Sequence, residues 1–224
     1  MDIVFRLDVS LDIGQGHLIR CLNLANEMRR RGKRCLFIIN GITEYIINLI
    51  ESNGHQCSEL NAIQNEGGDN EKFNYLNDVN ATIELIIKSE PEWMVVDHYN
   101  IDALWHKEIK PYVKNIMVID DLANRDYECD VLLDASYGRS VEDYSVLAKG
   151  KCKFLLGPKY ALLNQVFSDL RVTALNRRKE NLGIKNIFIS VGSIDNYNLI
   201  DSLLHVTTNM EWEYKPTISI SVSS

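Results

Sequence analysis

No apolar stretch in these 224 residues approaches the roughly 18 needed to cross a bilayer, so no membrane-spanning helix is expected. No C-x-x-C pair occurs. The five cysteines (Cys21, Cys35, Cys57, Cys129 and Cys152) form an odd, scattered set that fits reduced thiols in a cytoplasm better than a disulfide framework or a zinc site. Positive charge is in deficit, with 24 Lys and Arg against 31 Asp and Glu and a formal net charge of −7. Neither nucleic acid nor an anionic membrane attracts such a chain as a main partner, although a local phosphate site stays open. There is no internal repeat and no low-complexity tract. The chain enters a strand at once and carries Asp2 and Arg6 there, unlike a secretory signal. The His and Asp residues show no metal-ligand spacing, so neither a metal nor a cofactor is expected.

What the sequence does contain is a core, since 46% of its residues are apolar, and a recognisable opening. Asp2 to Asp8 reads as a short strand of apolar and β-branched residues. Leu18 to Arg31 reads as a helix whose Leu18, Cys21, Leu22, Leu24, Ala25 and Met28 recur at helical period. The loop between them carries Gly14 and Gly16, with His17 at the helix entrance. Glycine lets a backbone approach a ligand closely, and the free N–H groups of a helix start attract anions such as a diphosphate. The same positive helix end favours a neutral imidazole able to accept a proton. The glycines by themselves are equally compatible with a tight structural loop. A nicotinamide fingerprint is excluded. Ile19 stands where the third small residue belongs, and Asn40 stands where an acidic residue should end the next strand.

Further along, strands are expected at 34–39, 56–60, 93–96, 115–119, 131–133 and 153–156, and helices at 45–52, 75–89 and 101–110. Trp93-Met94-Val95-Val96 is apolar on both faces, as a central parallel strand must be, and runs into Asp97-His98-Tyr99. Other strand ends carry Asp8, Asp120-Asp121 and Asp134. Aspartate there commonly caps the next helix or makes an Asx-turn, a reading that covers Asp120, Asp121 and Asp134 better than Asp97-His98-Tyr99. The β-α-β-α order predicts an α/β fold with a doubly wound parallel sheet, which binds ligands off the carboxyl ends of its strands. The expected domains are 1–157, a Rossmann-like sugar and catalytic domain; 158–183, a crossover with an amphipathic helix over Gln165–Asn176 and a linker over Arg177–Asn181; and 184–224. The last segment reads as a strand, a helix and a strand, too small to bury a core alone, so the second domain reads as cut short.

Together these residues resemble the nucleotide-sugar hydrolases of pseudaminic acid biosynthesis, which act on a UDP-linked 2,4-diacetamido-2,4,6-trideoxy-β-L-altropyranose. That family is similar in turn to the lipid II glycosyltransferase of peptidoglycan synthesis and has the two-domain GT-B fold. Its N-terminal pattern is matched by Arg6, Asp8, Ser10, Ile13, Gly14, Gly16, His17, Arg20, Cys21, Leu22, Leu24 and Ala25. Its Asp-His-Tyr appears as Asp97-His98-Tyr99, its Ile-Asp-Asp-Leu-Ala-Asn-Arg as Ile119 to Arg125, and its crossover as Leu156 to Leu163. The second-domain turn departs from the pattern: Gly192-Ser193-Ile194-Asp195 replaces Gly-Gly-Ser/Thr-Asp, which hinders close approach of a diphosphate and removes a donor. The family also continues beyond the point where this sequence stops, with most of its uridine and diphosphate contacts there.

The resemblance implies a cytoplasmic enzyme that releases UDP by water attack at the anomeric carbon, with inversion. His17 is the candidate base. Tyr99 is placed to hold the water or a sugar oxygen, and Asp97 or Asp8 to orient His17. Substrate contacts are expected from Arg6, Asp8, Ser10, Gly14, Gly16, His98, Tyr160, Gly192 and Ser193, with packing an equal alternative for His98. Two other readings stand beside this one: a UDP-sugar glycosyltransferase of the same fold, and a truncated sugar-nucleotide binder with impaired catalysis. Oligomeric state is not legible.

Overall fold

The computed structural model describes residues 1–9, 15–60, 73–148, 150–180, 183–191 and 198–221. Ser10, Ile13, Gly14 and the 192–195 turn lie outside the described residues. The chain divides into two compact units, Met1–Leu163 and Asn164–Ser224.

The first unit contains strands β1 (Ile3–Leu7), β2 (Cys35–Ile39), β3 (Gln56–Glu59), β4 (Trp93–Asp97), β5 (Asn115–Ile119), β6 (Val131–Asp134) and β7 (Lys153–Leu156). They form one all-parallel sheet in the order β3-β2-β1-β4-β5-β6-β7. Helices α1 (Gly16–Arg30) and α2 (Glu44–Ser52) cover one face; α3 (Tyr75–Ile86) and α4 (Ala103–Ile109) cover the other. Side chains alternate across β1. Ile3, Phe5 and Leu7 join Leu18, Cys21, Leu22 and Ala25 of α1, whereas Val4 packs with Val79 of α3 and Trp105 of α4. Both faces are therefore dry, which is why the central strands read as unbroken apolar runs. The expected doubly wound parallel sheet is present. Its order reverses between β1 and β4, the switch point at whose carboxyl ends sheets of this kind bind ligands.

The second unit consists of α5 (Gln165–Glu180), then β8 (Asn186–Ser190), α6 (Leu199–Asn209) and β9 (Thr217–Ser221), with β8 and β9 parallel. Two expectations are corrected here. Residues 177–180 continue α5 and are no linker. Arginine, lysine and glutamate are good helix formers, and Arg177, Arg178 and Lys179 complement the negative end of the helix dipole. Nor is α5 amphipathic, since its apolar residues do not gather on one face. Ile189 and Pro216 are the only buried residues of this unit among those described.

One core histidine makes a testable demand on stability. His106 of α4 is fully buried; Nδ1 accepts the Glu128 N–H at 3.3 Å, while Nε2 has no partner among the described residues. Burial, helped by the charge of Arg125, pushes its pKa down from 6.5 to about 3. The unfolded chain takes up this proton as the pH falls below about 6.5 and the folded chain does not, so acid favours unfolding down to about pH 3. His106→Gln keeps an acceptor for Glu128 and removes the titration. Unfolding free energies from urea melts between pH 6 and pH 4 should fall less in the variant, by roughly 1.4 kcal/mol per pH unit. Parallel slopes would show that His106 titrates alike in both states.

Candidate active site

His17 lies in the first turn of α1, and Asp97 ends β4, the strand beside β1, with Leu7 and Asp97 in register. The sheet's reversal point thus brings together two residues 80 positions apart. His17 Nδ1 is 2.5 Å from Asp97 Oδ1, and both side chains are almost wholly buried. The carboxylate can only accept, so a proton on Nδ1 faces it and, in the neutral ring, Nε2 then carries the lone pair; Arg20 Nη2 also lies 3.4 Å from Nδ1. Nε2 has no hydrogen-bond partner among the described residues. The Tyr99 ring meets His17 edge-on, with centroids 4.7 Å apart. Burial, followed by the charge of Asp121, raises the Tyr99 phenol above its ordinary pKa, so it stays a donor.

Asp97 also receives Arg20. Nε reaches Oδ2 at 2.6 Å and Nη2 reaches Oδ1 at 2.5 Å, while Nη1 reaches Asp121 Oδ2 at 3.0 Å. Burial alone would raise the Asp97 pKa; the hydrogen bonds from Arg20 and His17 outweigh it and hold the carboxyl below its usual range.

Asp8, the other proposed orienter of His17, is engaged elsewhere. Its Oδ2 accepts from His98 Nε2 at 2.8 Å, and its Oδ1 accepts from Arg6 Nη1 at 2.5 Å and from the Asn40 N–H at 3.2 Å. His98 Nδ1 accepts the Asn100 N–H, which leaves the ring proton on Nε2 for Asp8. Burial opposes the charge on Asp8, but His98 and Arg6 keep its pKa far below the ordinary value. Arg6 has no exposed surface and spends its guanidinium on Asp78, Asp8 and the Leu7 carbonyl. The expectation that Arg6 touches substrate is therefore corrected. It points to the α3–α4 side of the sheet because residue 6 of β1 alternates with Phe5 and Leu7. For His98, the packing alternative fits its 5% exposure and its place under Asp8.

Gly16 begins α1, and a Cβ built there would meet nothing within 4 Å. Among the described residues the helix start has no side-chain cap, and its first turn holds no acidic residue that would repel an anion. Tyr160 packs on the α1 side of the sheet, with the Lys159 ammonium 5.0 Å above its ring. A cleft of about 200 Å³ opens over the ends of β5 and β6, bordered by Arg20, Asp120, Asp121, Asp134, Ser136 and Leu162. Asp120 accepts the Leu122 and Ala123 N–H groups and Asp134 accepts that of Ser136, as turn-forming aspartates do. The two are joined through Tyr144, whose hydroxyl lies 2.8 Å from each. Among the described residues no group of three or more His, Cys, Asp and Glu could hold a metal, and no helix is long and apolar enough to cross a membrane.

Sequence reasoning missed Arg20 and Asp121 as members of this constellation. The available signal was the spacing of His17 and Arg20, three apart and so on one helix face, opposite a strand ending in aspartate.

No protein-family model matches the chain. An uncharacterised protein of Methanocaldococcus jannaschii is 27% identical over 209 residues, which cover 91% of this chain and 39% of that protein. The UDP-2,4-diacetamido-2,4,6-trideoxy-beta-L-altropyranose hydrolase of Campylobacter jejuni is 28% identical over 202 residues, 89% of this chain and 63% of that enzyme. The chain thus spans 39% and 63% of the lengths of these two curated relatives. Among solved structures, MurG of Acinetobacter baumannii superposes with a TM-score of 0.51 at 11% identity, covering 99% of this chain and 67% of that one. The UDP-GlcNAc 2-epimerase of Neisseria meningitidis, bound to UDP-GlcNAc, gives 0.53 at 11% identity, covering 99% and 65%. The resemblance to the hydrolase holds at this level, and the fold is that of GT-B glycosyltransferases and epimerases.

Proposed function

We propose that this chain carries the catalytic half of a nucleotide-sugar hydrolase that releases UDP from a UDP-diacetamido-trideoxyhexose, in nonulosonate biosynthesis of the pseudaminic acid type. The observation that carries the reading is the His17–Asp97 pair at the sheet's reversal point, with Nε2 left to accept a proton. The similarity to the Campylobacter hydrolase supports the choice of UDP-sugar.

Asp97 holds the Nδ1 proton of His17 and so fixes which ring nitrogen is basic. Nε2 takes a proton from water as the water oxygen bonds to C1 of the sugar. The bond from C1 to the diphosphate oxygen breaks on the opposite face, and its electron pair leaves with UDP. Asp97 stabilises the imidazolium, which then returns its proton to solvent. Because UDP is a good leaving group, a single positioned base suffices, the role one carboxylate plays in inverting glycosidases. The start of α1 at Gly16 suits the diphosphate, and the Tyr99 phenol suits the water or a sugar oxygen.

Turnover in ¹⁸O-water tests the scheme. The label should appear in the released sugar, with UDP unlabelled, and no acceptor should be needed. Label in UDP would mean that a P–O bond breaks, and an absolute requirement for an acceptor would mark a glycosyltransferase instead.

A further inference from the structure

We propose that Arg20 is a positioning residue that fixes the Asp97 carboxylate, and through it the His17 ring, an inference that rests on the hydrolase reading above. Asp97 is 1% exposed and accepts from three neighbours: His17, Arg20 and, weakly at 3.5 Å, the Cys21 thiol. A carboxylate bonded only to His17 is free to turn about its Cβ–Cγ bond, and the imidazole would follow it. Arg20 removes that freedom. Its planar fork meets both oxygens, at 2.5 and 2.6 Å, an arrangement that defines the carboxylate plane and that a lysine's point charge does not reproduce.

The fork is itself held. Nη1 bonds Asp121 Oδ2 at 3.0 Å, so one guanidinium ties α1 to the ends of both β4 and β5. With a quarter of its side chain exposed, Arg20 also borders the cleft over β5 and β6. An ordinary exposed ion pair contributes little. This one differs in that its acceptor is buried and shared with the proposed base. Arg20 and His17 sit one turn apart on the same helix face, so both reach the one carboxylate that ends β4.

A double-mutant cycle on the full chain tests the coupling, with UDP release from the UDP-linked diacetamido-trideoxy-altropyranose as the assay. Arg20→Gln should lower kcat by about 10- to 100-fold with KM within about threefold, the signature of a misplaced base. Asp97→Asn should lower kcat by about 10³- to 10⁴-fold. The double variant should be no slower than Asp97→Asn alone, because Arg20 acts through Asp97. Arg20→Lys should recover only part of the loss. Losses that multiply, or a folded Arg20→Gln protein with unchanged kcat, overturn the proposal. A second readout needs no turnover: long-range ¹H–¹⁵N spectra of the imidazoles. His17 should be a single Nδ1–H tautomer in the parent and a mixture in folded Arg20→Gln; an unaltered His17 signal overturns the role of Arg20. Absence of UDP release from the parent would instead sink the hydrolase reading and leave the spectroscopic test of Arg20 intact.

Discussion

Replacing His17 by alanine is expected to leave a folded protein whose turnover is lower by about 10²- to 10⁴-fold, the contribution of one positioned base. Folding survives for specific reasons. Alanine is the best helix former, and position 17 lies in the first turn of α1. The variant does not strand Asp97, which keeps both of its bonds to Arg20. What is lost from stability is a hydrogen bond to a charged group, about 1.5–3 kcal/mol, partly offset by the removal of a buried imidazole. Catalysis has no comparable reserve. Asp8 and His98 are bonded to each other, and Tyr99 holds its proton too tightly to replace the imidazole. The check is kcat from UDP release together with a melting curve by circular dichroism. Parent-like turnover would remove His17 from the chemistry, and an unfolded variant would call for His17→Gln, which keeps the volume and loses the basic nitrogen.

The sequence made some of this architecture legible and hid the rest, and the division follows from range. Strands buried on both faces announce themselves as short apolar runs, so Trp93 to Val96 and its polar end at Asp97 could be placed without coordinates. The β1–α1 junction was legible for the same reason, with glycines and a histidine between two clear periodicities. Partnerships were not. Asp97 and Asp8 were both plausible orienters of His17, because strand order alone puts both at the same edge; only side-chain direction separates them, Asp97 toward α1 and Asp8 toward His98. Arg20 meets carboxylates 77 and 101 positions downstream, and no local pattern encodes such a meeting. Arg6 illustrates the opposite error. A charged residue in a matched motif reads as a ligand contact, yet in a strand buried on both faces its register sends it into the core. Polarity alone makes residues 177–180 read as a linker, yet a solvent-exposed helix is polar too.

Removing the carboxylate of Asp78 should be the most destabilising single change in the first unit. Asp78 lies in the first turn of α3 and is 3% exposed. Its Oδ2 is 2.5 Å from Arg6 Nη2, and its Oδ1 accepts from Arg6 Nε at 3.3 Å and from Trp105 Nε1 at 2.8 Å. One acidic side chain thus neutralises a guanidinium with no access to water and satisfies the indole of a fully buried tryptophan on α4. In Asp78→Ala the guanidinium retains only Asp8 and the Leu7 carbonyl, the indole loses its acceptor, and a void opens between α3 and the sheet. Breaking a buried ion pair by deleting one partner costs about 3–5 kcal/mol, a large share of the 5–15 kcal/mol that holds a typical domain together. For a chain of this size that corresponds to a fall in Tm of roughly 6–20 °C. The pair need not be stabilising overall, because burying both charges also costs free energy. Asp78→Leu combined with Arg6→Met removes both charges and should melt well above Asp78→Ala alone. It should not reach the parent, since Trp105 still lacks its acceptor and Asp8 loses its bond from Arg6. Thermal melts of the parent and the two variants decide the matter: an Asp78→Ala protein within about 1 kcal/mol of the parent would mean that solvent reaches Arg6. The same chain of bonds runs from Trp105 through Asp78, Arg6 and Asp8 to His98, so the double variant also loosens the hold on Asp8 and His98.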